Sequence, residues 1–362
     1  MTLAGMSSER DGKEFRVGLS ADFRDEAGGL IFPDIGLSLL DGVPGLAYEF
    51  VGDYRDAYAP EQLRNLDVLI TLKPRITAAS LAGVERLSAI GRCGVGYDNV
   101  DLRACTEKDI AVFITPGGVV RPVAESIVLF VLALSHNLMR KDRLVRRGAW
   151  RESTLPLGRE PRGRTVGTIG LGNIATAAIQ LLKSFDVARF LAFDPYVPEQ
   201  TAHELGVEMV SLDELLGQSD YVLINCPLTE QTRGLMGKRE FSRMKPGAVL
   251  INTARGPVVE EQALIDALEN RVIRAAALDV FEREPLSIDS RLMAMDNVIL
   301  TSHSIAWTEE LFRDMGRIDC EGALSIYRGE APENVVNREV LRRPGFLKKL
   351  ENYRFLFEGS NR

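Results

Sequence analysis

The stretch Arg164–Tyr196, RTVGTIGLGNIATAAIQLLKSFDVARFLAFDPY, decides the fold of this chain. It opens with an apolar run, Val166–Ile169, that predicts a buried strand, and the apolar spacing from Ile174 to Phe185 predicts a helix. A second apolar run, Phe190–Phe193, ends in Asp194. A strand, a glycine turn, a helix and a second strand ending in an acid together predict a dinucleotide-binding βαβ unit.

The glycine turn has the pattern G-x-G-x-x-A, with Gly170, Gly172 and Ala175 at its fixed positions. Gly170 permits the tight turn, Gly172 lets a pyrophosphate approach the backbone, and the small Ala175 lets the helix pack against its strand. The helix N-terminus offers free N–H groups to the anion. The carboxylate of Asp194, at the end of the second strand, can bind the hydroxyls of an adenosine ribose. Such a pattern also occurs in turns without a ligand, but the flanking strands and the acid favour a nucleotide site.

The composition limits the possible partners. The chain of 362 residues is long enough for two domains, each with its own core. Its 45% hydrophobic and 26% charged residues are ordinary for a globular protein. A net charge of −7 gives no electrostatic reason to expect nucleic acid or an anionic membrane. The longest apolar stretch, Ile127–Leu134, is shorter than the ~20 residues of a membrane span, so we expect neither partner.

The cysteines and the N-terminal segment bear on the compartment. The polar segment MTLAGMSSERDGKEF lacks the apolar core of a signal peptide. The cysteines are scattered without the spacing of metal ligands and are typical of reduced thiols in the cytoplasm: Cys93, Cys105, Cys226 and Cys320. We therefore expect a cytoplasmic protein without a metal site.

Residues 15–114 alternate apolar runs with helical segments, which predicts a parallel sheet covered by helices. Two loops, Thr71–Arg75 and Arg92–Asn99, follow strand ends, where parallel sheets bind their ligands. The glycines of the second loop could present backbone N–H groups to a carboxylate, although a solvent-exposed turn fits equally well. The expected strands are Phe15–Leu19, Ala47–Val51, Asp67–Thr71, Leu87–Gly91 and Ala111–Ile114, and the expected helices are Ala59–Asn65, Ala78–Gly83 and Leu102–Lys108.

A long helix is predicted from Val123 to about Met139, after a break at Thr115–Gly118. It is apolar almost all round, and a helix without a polar face is buried on several sides. We therefore expect it to pack against a second subunit and form a homodimer. The basic segment Arg140–Arg162, which contains Trp150, is expected to be a short helix and an arm or loop.

A second alternating series runs from Arg164 to His303 and supplies six strands, as a full dinucleotide fold requires. A final amphipathic helix, Glu309 to about Arg328, precedes a tail with Pro332, Pro344 and a basic pair, Lys348 and Lys349. The expected strands of the series are Val166–Ile169, Phe190–Phe193, Tyr221–Ile224, Val249–Asn252, Ala275–Leu278 and Val298–Leu300.

Of the three histidines, only His303 follows a strand end on the cofactor side of the sheet. His136 lies near the end of the long helix, where a cationic cap is its simplest role, and His203 lies in a polar helix. A dehydrogenase needs an acid–base group because a proton leaves the hydroxyl when hydride leaves the carbon. Histidine titrates near neutral pH and can both accept and donate that proton, which favours His303.

Two further strand ends carry charged residues. Arg255 lies in the loop Asn252–Gly256, and its planar guanidinium suits paired contacts with a carboxylate. A carboxylate partner for His303 would orient the ring and favour its charged form. Glu282 and Glu284 both lie after the strand Ala275–Leu278, and spacing alone does not choose between them.

The chain combines the motifs G-L-G-N-I-A, F-D-P-Y, N-C-P-L-T, M-K-P-G-A-V-L-I-N-T-A-R-G and A-L-D-V-F-E-R-E-P-L with a late histidine. Over about residues 45–330 this combination resembles the D-2-hydroxyacid dehydrogenases. The resemblance implies an α/β protein with two Rossmann-like domains, each a parallel sheet flanked by helices, the nucleotide domain being inserted into the substrate domain. It implies a substrate-binding domain at 1–118 and 305–362 and an NAD-binding domain at 119–304.

The resemblance also implies roles for single residues. Arg255 would hold the substrate carboxylate and carbonyl, Glu284 would pair with His303, and His303 would exchange the proton. Val95 and Gly96 correspond to the backbone that receives the substrate carboxylate, and Lys73 falls near the family's substrate-entry loop. Besides Gly170, Gly172 and Asp194, the implied NAD-binding residues are Asn173, Ile174, Pro227, Thr232, Thr253 and Asp279.

Three positions depart from the family's usual pattern. Ser302 stands where a proline commonly precedes the histidine, and Arg121 with Pro122 stands where a small polar residue is common. Trp307 occupies a position that is small in many members. We expect Arg121 and Trp307 to reshape the substrate pocket while the class of reaction stays the same.

The leading hypothesis is a reversible NAD-dependent oxidoreductase that acts on a D-2-hydroxyacid and its 2-keto acid, such as glyoxylate, hydroxypyruvate or a related small acid. The alternative is an NAD(H)-sensing binding protein, like the corepressors that share this fold and keep Arg, Glu and His. A third hypothesis is a paralogue that binds NAD without turnover. The absence of a basic surface signal argues against the corepressor.

Overall fold

The computed structural model of the chain describes residues 14–150 and 157–360, with side chains as far as residue 354. The polar segment at the N-terminus and part of the basic segment therefore lie outside the described residues. The chain forms two compact units, one made of Met1–Val119 and Thr308–Arg362 and the other of Val120–Trp307. Each unit has its own parallel sheet with helices, so the predicted α/β class is confirmed.

The first unit has a five-stranded sheet in the order β2-β1-β3-β4-β5, and every pair of neighbours is parallel. The predicted strands all form, and their ends differ from the prediction by at most two residues. The strands are β1 Phe15–Ser20, β2 Leu46–Val51, β3 Val68–Thr71, β4 Ala89–Arg92 and β5 Ala111–Ile114, with helices α1 Pro60–Leu63 and α2 Leu102–Glu107.

The predicted helix Ala78–Gly83 is wrong, since this segment forms turns. The backbone N–H of Thr77 donates to the Ser80 hydroxyl at 3.2 Å, and the N–H of Ser80 donates to the Thr77 hydroxyl at 3.3 Å. Such local bonds from hydroxyl side chains compete with helical hydrogen bonding.

The long apolar helix begins and ends at other residues than predicted. It forms α3, Pro116–Ser135, and a second helix, α4, Leu138–Arg146, follows it. The predicted break at the start is wrong because proline fits the first turn of a helix, where its missing N–H would have no partner. The helix does not reach Met139 because Asn137 adopts the left-handed conformation, with φ 54°.

Helix α3 is also less apolar on its surface than predicted. One side packs into the core of the second unit through Ala124, Ile127, Phe130, Val131 and Leu134. On the other side Leu129 is 48% exposed, and the exposed Arg121 and Glu125 form an ion pair. The helix therefore has one buried face and one accessible face.

By length and composition α3 could cross a membrane, and it is the only such helix in the part of the chain that the structure describes. The uninterrupted apolar run Ile127–Leu134 is much shorter than this helix and therefore underestimates the length of the apolar segment. About half of the stretch, 56%, is buried inside the structure, as in the core helix of a globular domain.

The second unit has a seven-stranded parallel sheet in the order β12-β11-β10-β9-β6-β7-β8. Alternate residues of β9 enter two apolar clusters, so both faces of the sheet are covered. The strands are β6 Thr165–Ile169, β7 Arg189–Phe193, β8 Glu208–Met209, β9 Tyr221–Ile224, β10 Val249–Asn252, β11 Ala275–Leu278 and β12 Val298–Leu300. The helices are α5 Asn173–Leu182, α6 Glu199–Glu204, α7 Leu212–Gln218, α8 Lys238–Arg243 and α9 Glu261–Glu269.

The predicted count of six strands is therefore one too low. The additional strand, β8, has two residues and pairs with Leu191 and Ala192 at the edge of the sheet. A two-residue strand is too short to give a periodic signal in the sequence.

The chain returns to the first unit in α10, Glu309–Tyr327, and ends in α11, Pro344–Ser360. The predicted tail is wrong for this last segment, because Pro344 begins a helix instead of preventing one. Lys349 Nζ donates to the carbonyl of Leu87 at 2.6 Å, and the Tyr353 hydroxyl donates to Asp67 at 2.8 Å. These bonds fix α11 to the sheet of the first unit.

Candidate active site and nucleotide-binding turn

The glycine turn after β6 needs glycine at its first position. Gly170 has φ +93°, and a Cβ there would lie 2.8 Å from the backbone of Asn225 and Cys226. Its N–H donates to the Phe193 carbonyl at 2.9 Å, which joins the turn to the end of β7. The turn is therefore fixed against two neighbouring strands before α5 begins.

The second glycine of the motif borders open space. Apart from Gly172 and its two chain neighbours, no atom of the described residues lies within 4 Å of the position that a Cβ on Gly172 would take. Helix α5 begins at the next residue, Asn173, followed by Ile174, and its first N–H groups have no carbonyl partner within the helix. Ala175 is buried against the core, as the motif requires. An open backbone at a helix N-terminus fits a pyrophosphate.

Asp194 follows β7 and is hydrogen-bonded to the glycine turn itself. Its Oδ2 accepts from the Leu171 N–H at 2.9 Å. Its Oδ1 accepts from the N–H groups of Tyr196, at 2.9 Å, and Val197, at 3.3 Å. The acid is thus held at the rim of the turn.

The loop after β9 carries two more of the implied cofactor residues. The Thr232 hydroxyl donates to the Pro227 carbonyl at 2.6 Å and accepts from the Thr229 N–H at 2.8 Å. These bonds close the loop on itself. Thr253, directly after β10, is partly buried.

Arg255 lies two residues after Thr253, in the loop after β10. The next residue, Gly256, lets this loop come close to the loop after β11. A Cβ on Gly256 would overlap the carbonyl of Phe281, so the loops after β10 and β11 touch through their backbones. Arg255 Nη1 donates to the Ala254 carbonyl at 2.7 Å. The guanidinium is close enough to Glu284 to help lower the pKa of that carboxyl.

Glu284 and His303 form the central pair of the site. His303 Nδ1 lies 2.9 Å from Glu284 Oε2, and the Phe281 N–H donates to Glu284 Oε1 at 3.1 Å. Glu282 is engaged elsewhere, since its carboxylate accepts from the Glu261 N–H. Partial burial would raise the pKa of Glu284, but the hydrogen bond and charge of His303, the Phe281 N–H and Arg255 together lower it.

His303 itself has an unusual backbone. Its φ of 56° is in the left-handed region, which residues other than glycine seldom adopt. Asp279 holds this backbone, because its Oδ1 accepts from the Thr301 hydroxyl at 2.6 Å and from the N–H groups of Ser304 and Ile305 at 3.0 and 3.2 Å. Within the described residues the other oxygen, Oδ2, accepts no hydrogen bond. Asp279 thus fixes the turn that presents the imidazole.

Two features of this site are not among those predicted from the sequence: the hydrogen bonds by which Asp279 holds the His303 turn, and the contact of Gly256 with Phe281. Hydroxyl residues on both sides of His303 were an available signal, since Ser and Thr commonly stabilise turns through side-chain hydrogen bonds. The close approach at Gly256 has no comparable signal, because any loop glycine looks alike in a sequence.

The implied substrate residues fall in both units. Trp307, in the second unit, has a side chain that is 42% exposed, and its backbone N–H donates to the Ser304 carbonyl at 3.0 Å. Lys73, in the first unit, is exposed, and its backbone N–H donates to the carboxylate of Asp22 at 3.0 Å.

Val95 and Gly96 lie in the loop after β4, in the first unit. Within the described part of the chain, the N–H groups of Val95 and Gly96 donate no hydrogen bond. The preceding residue, Gly94, is anchored, because its N–H donates to the Thr115 hydroxyl at 2.7 Å. The loop is therefore held at its start and offers two backbone donors.

Comparison with known proteins places the chain in a family. Residues 128–304 match the NAD-binding domain of the D-isomer specific 2-hydroxyacid dehydrogenases. The chain is 37% identical to a glyoxylate reductase of Korarchaeum cryptofilum over 79% of its own length and 88% of that protein. It is 37% identical to a D-3-phosphoglycerate dehydrogenase of Archaeoglobus fulgidus over 75% of its length, but it spans only 51% of that protein.

The fold agrees with these relationships. A crystal structure of a Thermus thermophilus protein superimposes with a TM-score of 0.79 at 29% identity, covering 89% of this chain and all of the other. The resemblance to the D-2-hydroxyacid dehydrogenases and the prediction of NAD as cofactor are confirmed. The chain belongs to the family of D-isomer specific 2-hydroxyacid dehydrogenases.

Proposed function

We propose that this protein is an NAD-dependent oxidoreductase that interconverts a D-2-hydroxyacid and its 2-keto acid. The observation that carries the proposal is the hydrogen bond of 2.9 Å between His303 and Glu284, with Arg255 close to the same carboxylate. An acid–base group and a guanidinium at the carboxyl ends of neighbouring strands suit a substrate with an oxygen to protonate and a carboxylate to bind.

In this proposal His303 is the catalytic acid and base. Glu284 occupies Nδ1, so Nε2 is the nitrogen that gives a proton to the carbonyl oxygen in reduction and takes it back in oxidation. The carboxylate orients the ring and stabilises its charged form. Arg255 binds the substrate carboxylate and polarises the carbonyl. Bound NAD supplies or accepts the hydride.

The second unit would hold the cofactor. The open backbone at Gly172, Asn173 and Ile174 suits the pyrophosphate, and Asp194 suits the adenosine ribose. Oδ2 of Asp279 would accept from the nicotinamide amide, and Pro227, Thr232 and Thr253 would lie along the cofactor between its two ends. We accordingly assign 119–304 as the NAD-binding domain and 1–118 with 305–362 as the substrate-binding domain.

The loop after β4 would receive the substrate carboxylate on the N–H groups of Val95 and Gly96. Lys73 would lie near the entry, and Trp307 would limit the size of the group on the substrate's second carbon. A small acid such as glyoxylate or hydroxypyruvate fits a pocket narrowed by tryptophan, and the name of the Korarchaeum relative favours the same class.

The enzyme hypothesis is tested by the oxidation of NADH with a panel of glyoxylate, hydroxypyruvate, pyruvate and bulkier 2-keto acids. We expect turnover with at least one small acid, and a kcat about 10²–10⁴-fold lower for His303→Ala. Binding of NADH without turnover of any acid would instead support a paralogue that binds NAD without turnover or the alternative, a cofactor-sensing protein of the corepressor type. The enzyme names of the relatives above do not favour that alternative.

We further propose a homodimer in the cytoplasm, without nucleic acid or membrane as partners. The apolar side chains exposed on α3 and α4 support the dimer, because large apolar patches commonly mark interfaces. Four buried free cysteines are consistent with a reducing compartment.

A further inference from the structure

The side chain of Asp319, on α10, is a buried acid that the proposed mechanism does not use. It is 0% exposed, and within the described residues no nitrogen or oxygen atom donates a hydrogen bond to either of its carboxyl oxygens, so that the thiol of Cys93, a weak donor, is its only side-chain hydrogen-bond partner. A buried polar group with only a weak partner weakens the folded state, so its presence calls for an explanation. Local features that oppose stability are most often found where function requires them.

Asp319 packs directly beneath the loop after β4. A Cβ on Gly91 would lie 2.6 Å from Asp319 Oδ1, so the carboxyl group occupies the space that a larger residue would fill. Arg92 and Cys93 follow at once, and their side chains are the polar groups that act on the carboxyl electrostatically. The acid therefore lies behind the first residues of the loop.

Arg92 connects the acid to the loop backbone. Its Nη1 donates to the carbonyl of Cys93, and a Cβ on Gly94 would overlap the same guanidinium nitrogen. Gly94 has φ +129°, a backbone conformation that few residues other than glycine adopt. The guanidinium thus supports the loop immediately before Val95 and Gly96.

We propose that Asp319 is a positioning residue, which acts through Arg92 and Cys93 to hold the loop in the shape that binds the substrate carboxylate. This inference rests on the proposed function, in which the N–H groups of Val95 and Gly96 receive that carboxylate. It predicts that a change at Asp319 weakens the binding of the keto acid while hydride transfer and NADH binding continue.

The charge of Asp319 should matter as well as its shape. Burial raises the pKa of Asp319 to about 8, so the carboxyl is neutral at pH 7 and ionises at higher pH. An ionised carboxylate would attract the guanidinium of Arg92 away from the Cys93 carbonyl. The titratable and charged groups around it are Arg92 and Cys93 on the loop and Cys320 on α10, with Asp22, Asp34 and Glu321 acting on those two thiols.

The test measures steady-state kinetics of Asp319→Ala and Asp319→Asn with glyoxylate and NADH at pH 7. We expect Asp319→Ala to raise KM for glyoxylate about tenfold, with kcat and KM for NADH within about twofold of wild type. Asparagine keeps the shape of the neutral acid, so Asp319→Asn should restore KM. Cys320→Ala is the matched control, because its thiol is equally buried on α10 but faces the Ile35 carbonyl at 3.8 Å.

Unchanged KM in Asp319→Ala, or an equal rise in Cys320→Ala, would overturn the inference, since either would mean that Asp319 only fills space. If Asp319→Ala does not fold, the pH dependence decides. KM of the wild type should rise between about pH 7 and about pH 9, whereas that of Asp319→Asn should stay flat, and parallel curves would refute the proposal. If the wild type turns over a keto acid and the variants have the same KM as the wild type, only this inference is wrong. If the wild type does not turn over any keto acid, the proposed function is wrong, and this inference with it.

Discussion

His303 Nδ1 lies 2.9 Å from Glu284 Oε2, although 19 residues separate the two in the chain. The pair joins the loops after β11 and β12. The carboxylate of Asp279 fixes the loop after β12 by accepting hydrogen bonds from its backbone N–H groups. Because the carboxylate occupies one ring nitrogen, only Nε2 remains for a substrate. The geometry therefore assigns one atom to the proposed proton transfer.

Replacement of His303 by alanine should remove the proton transfer and leave the nucleotide turn intact. General acid–base catalysis is worth about 10²–10⁴-fold, so we expect kcat to fall by that factor. The affinity for NADH, measured by fluorescence titration, should change little. A variant with kcat close to that of the wild type would remove His303 from the mechanism.

Glu284→Gln should change how stability depends on pH. The pKa of Glu284 is lowered in the folded protein, so its ionised form favours folding above its ordinary value of 4.5 and loses that effect as the pH falls through the folded value. Urea unfolding should show Glu284→Gln to be less stable than wild type at pH 7, with the difference shrinking in acid. Glu282→Gln, in the same loop but away from His303, is the control, and an identical pH dependence in both variants would count against the pairing.

Much of this site is encoded locally and could be predicted from the sequence. The glycine turn and Asp194 depend on one βαβ unit, whose residues contact each other wherever the sequence folds in that way. The choice between Glu282 and Glu284 depends instead on how the loops after β11 and β12 meet, which no local pattern encodes. Asp319 was missed for the same reason, since its environment comes from a strand more than 200 residues away in the chain.

For the secondary structure, too, the features encoded by a local pattern could be predicted and those that depend on the surrounding structure could not. Strands buried on both faces are continuous apolar runs, which is why they could be predicted to within two residues. Prolines were misinterpreted at Pro116 and Pro344 because a proline that breaks a helix and one that begins it look alike without the preceding structure.

Arg255→Lys should be a poor substitute although it keeps the charge. Lysine offers a compact ammonium, whereas the planar guanidinium can contact two oxygens of a carboxylate at once. We expect kcat/KM for the keto acid to fall by roughly 100-fold, with NADH binding unchanged. Equal catalytic efficiency in the two proteins would mean that Arg255 does not bind substrate.

The protein should have twice the monomer mass in light scattering at micromolar concentration. The side chains of Leu129 on α3 and of Leu138, Met139 and Val145 on α4 are apolar and accessible, and association would bury them. Leu129→Arg should therefore lower the mass or weaken the dimer. Leu347→Arg, a similarly exposed site on α11, should leave it unchanged, and a monomeric wild type would refute the prediction.

The unmodified enzyme should prefer NAD(H) to NADP(H) because Asp194 lies at the rim of the glycine turn. A 2′-phosphate would bring like charges together, which at ~4 Å and an effective dielectric of ~20 costs on the order of 4 kcal/mol before screening. Solvent should reduce this to a preference of about 100-fold in kcat/KM, or about 2.7 kcal/mol. The residues directly after Asp194 are not basic, and Arg189, at the far end of β7, is paired with Glu208 at 2.7 Å.

Two variants separate the charge of Asp194 from its bracing of the turn. Asp194→Asn removes the charge but keeps an oxygen that can accept from the Leu171 N–H, so it should narrow the cofactor preference at little loss of NADH efficiency. Asp194→Ala also removes the hydrogen bond to the Leu171 N–H, so kcat/KM with NADH should fall further than in Asp194→Asn. The preference for NADH over NADPH should narrow by the same factor in both variants. A basic residue at Tyr196, added to Asp194→Asn, should then improve NADPH use, because it would neutralise the 2′-phosphate. Comparable efficiency with both cofactors in the wild type would contradict this role of Asp194, and an unchanged preference in Asp194→Asn would show that the carboxylate charge does not determine it.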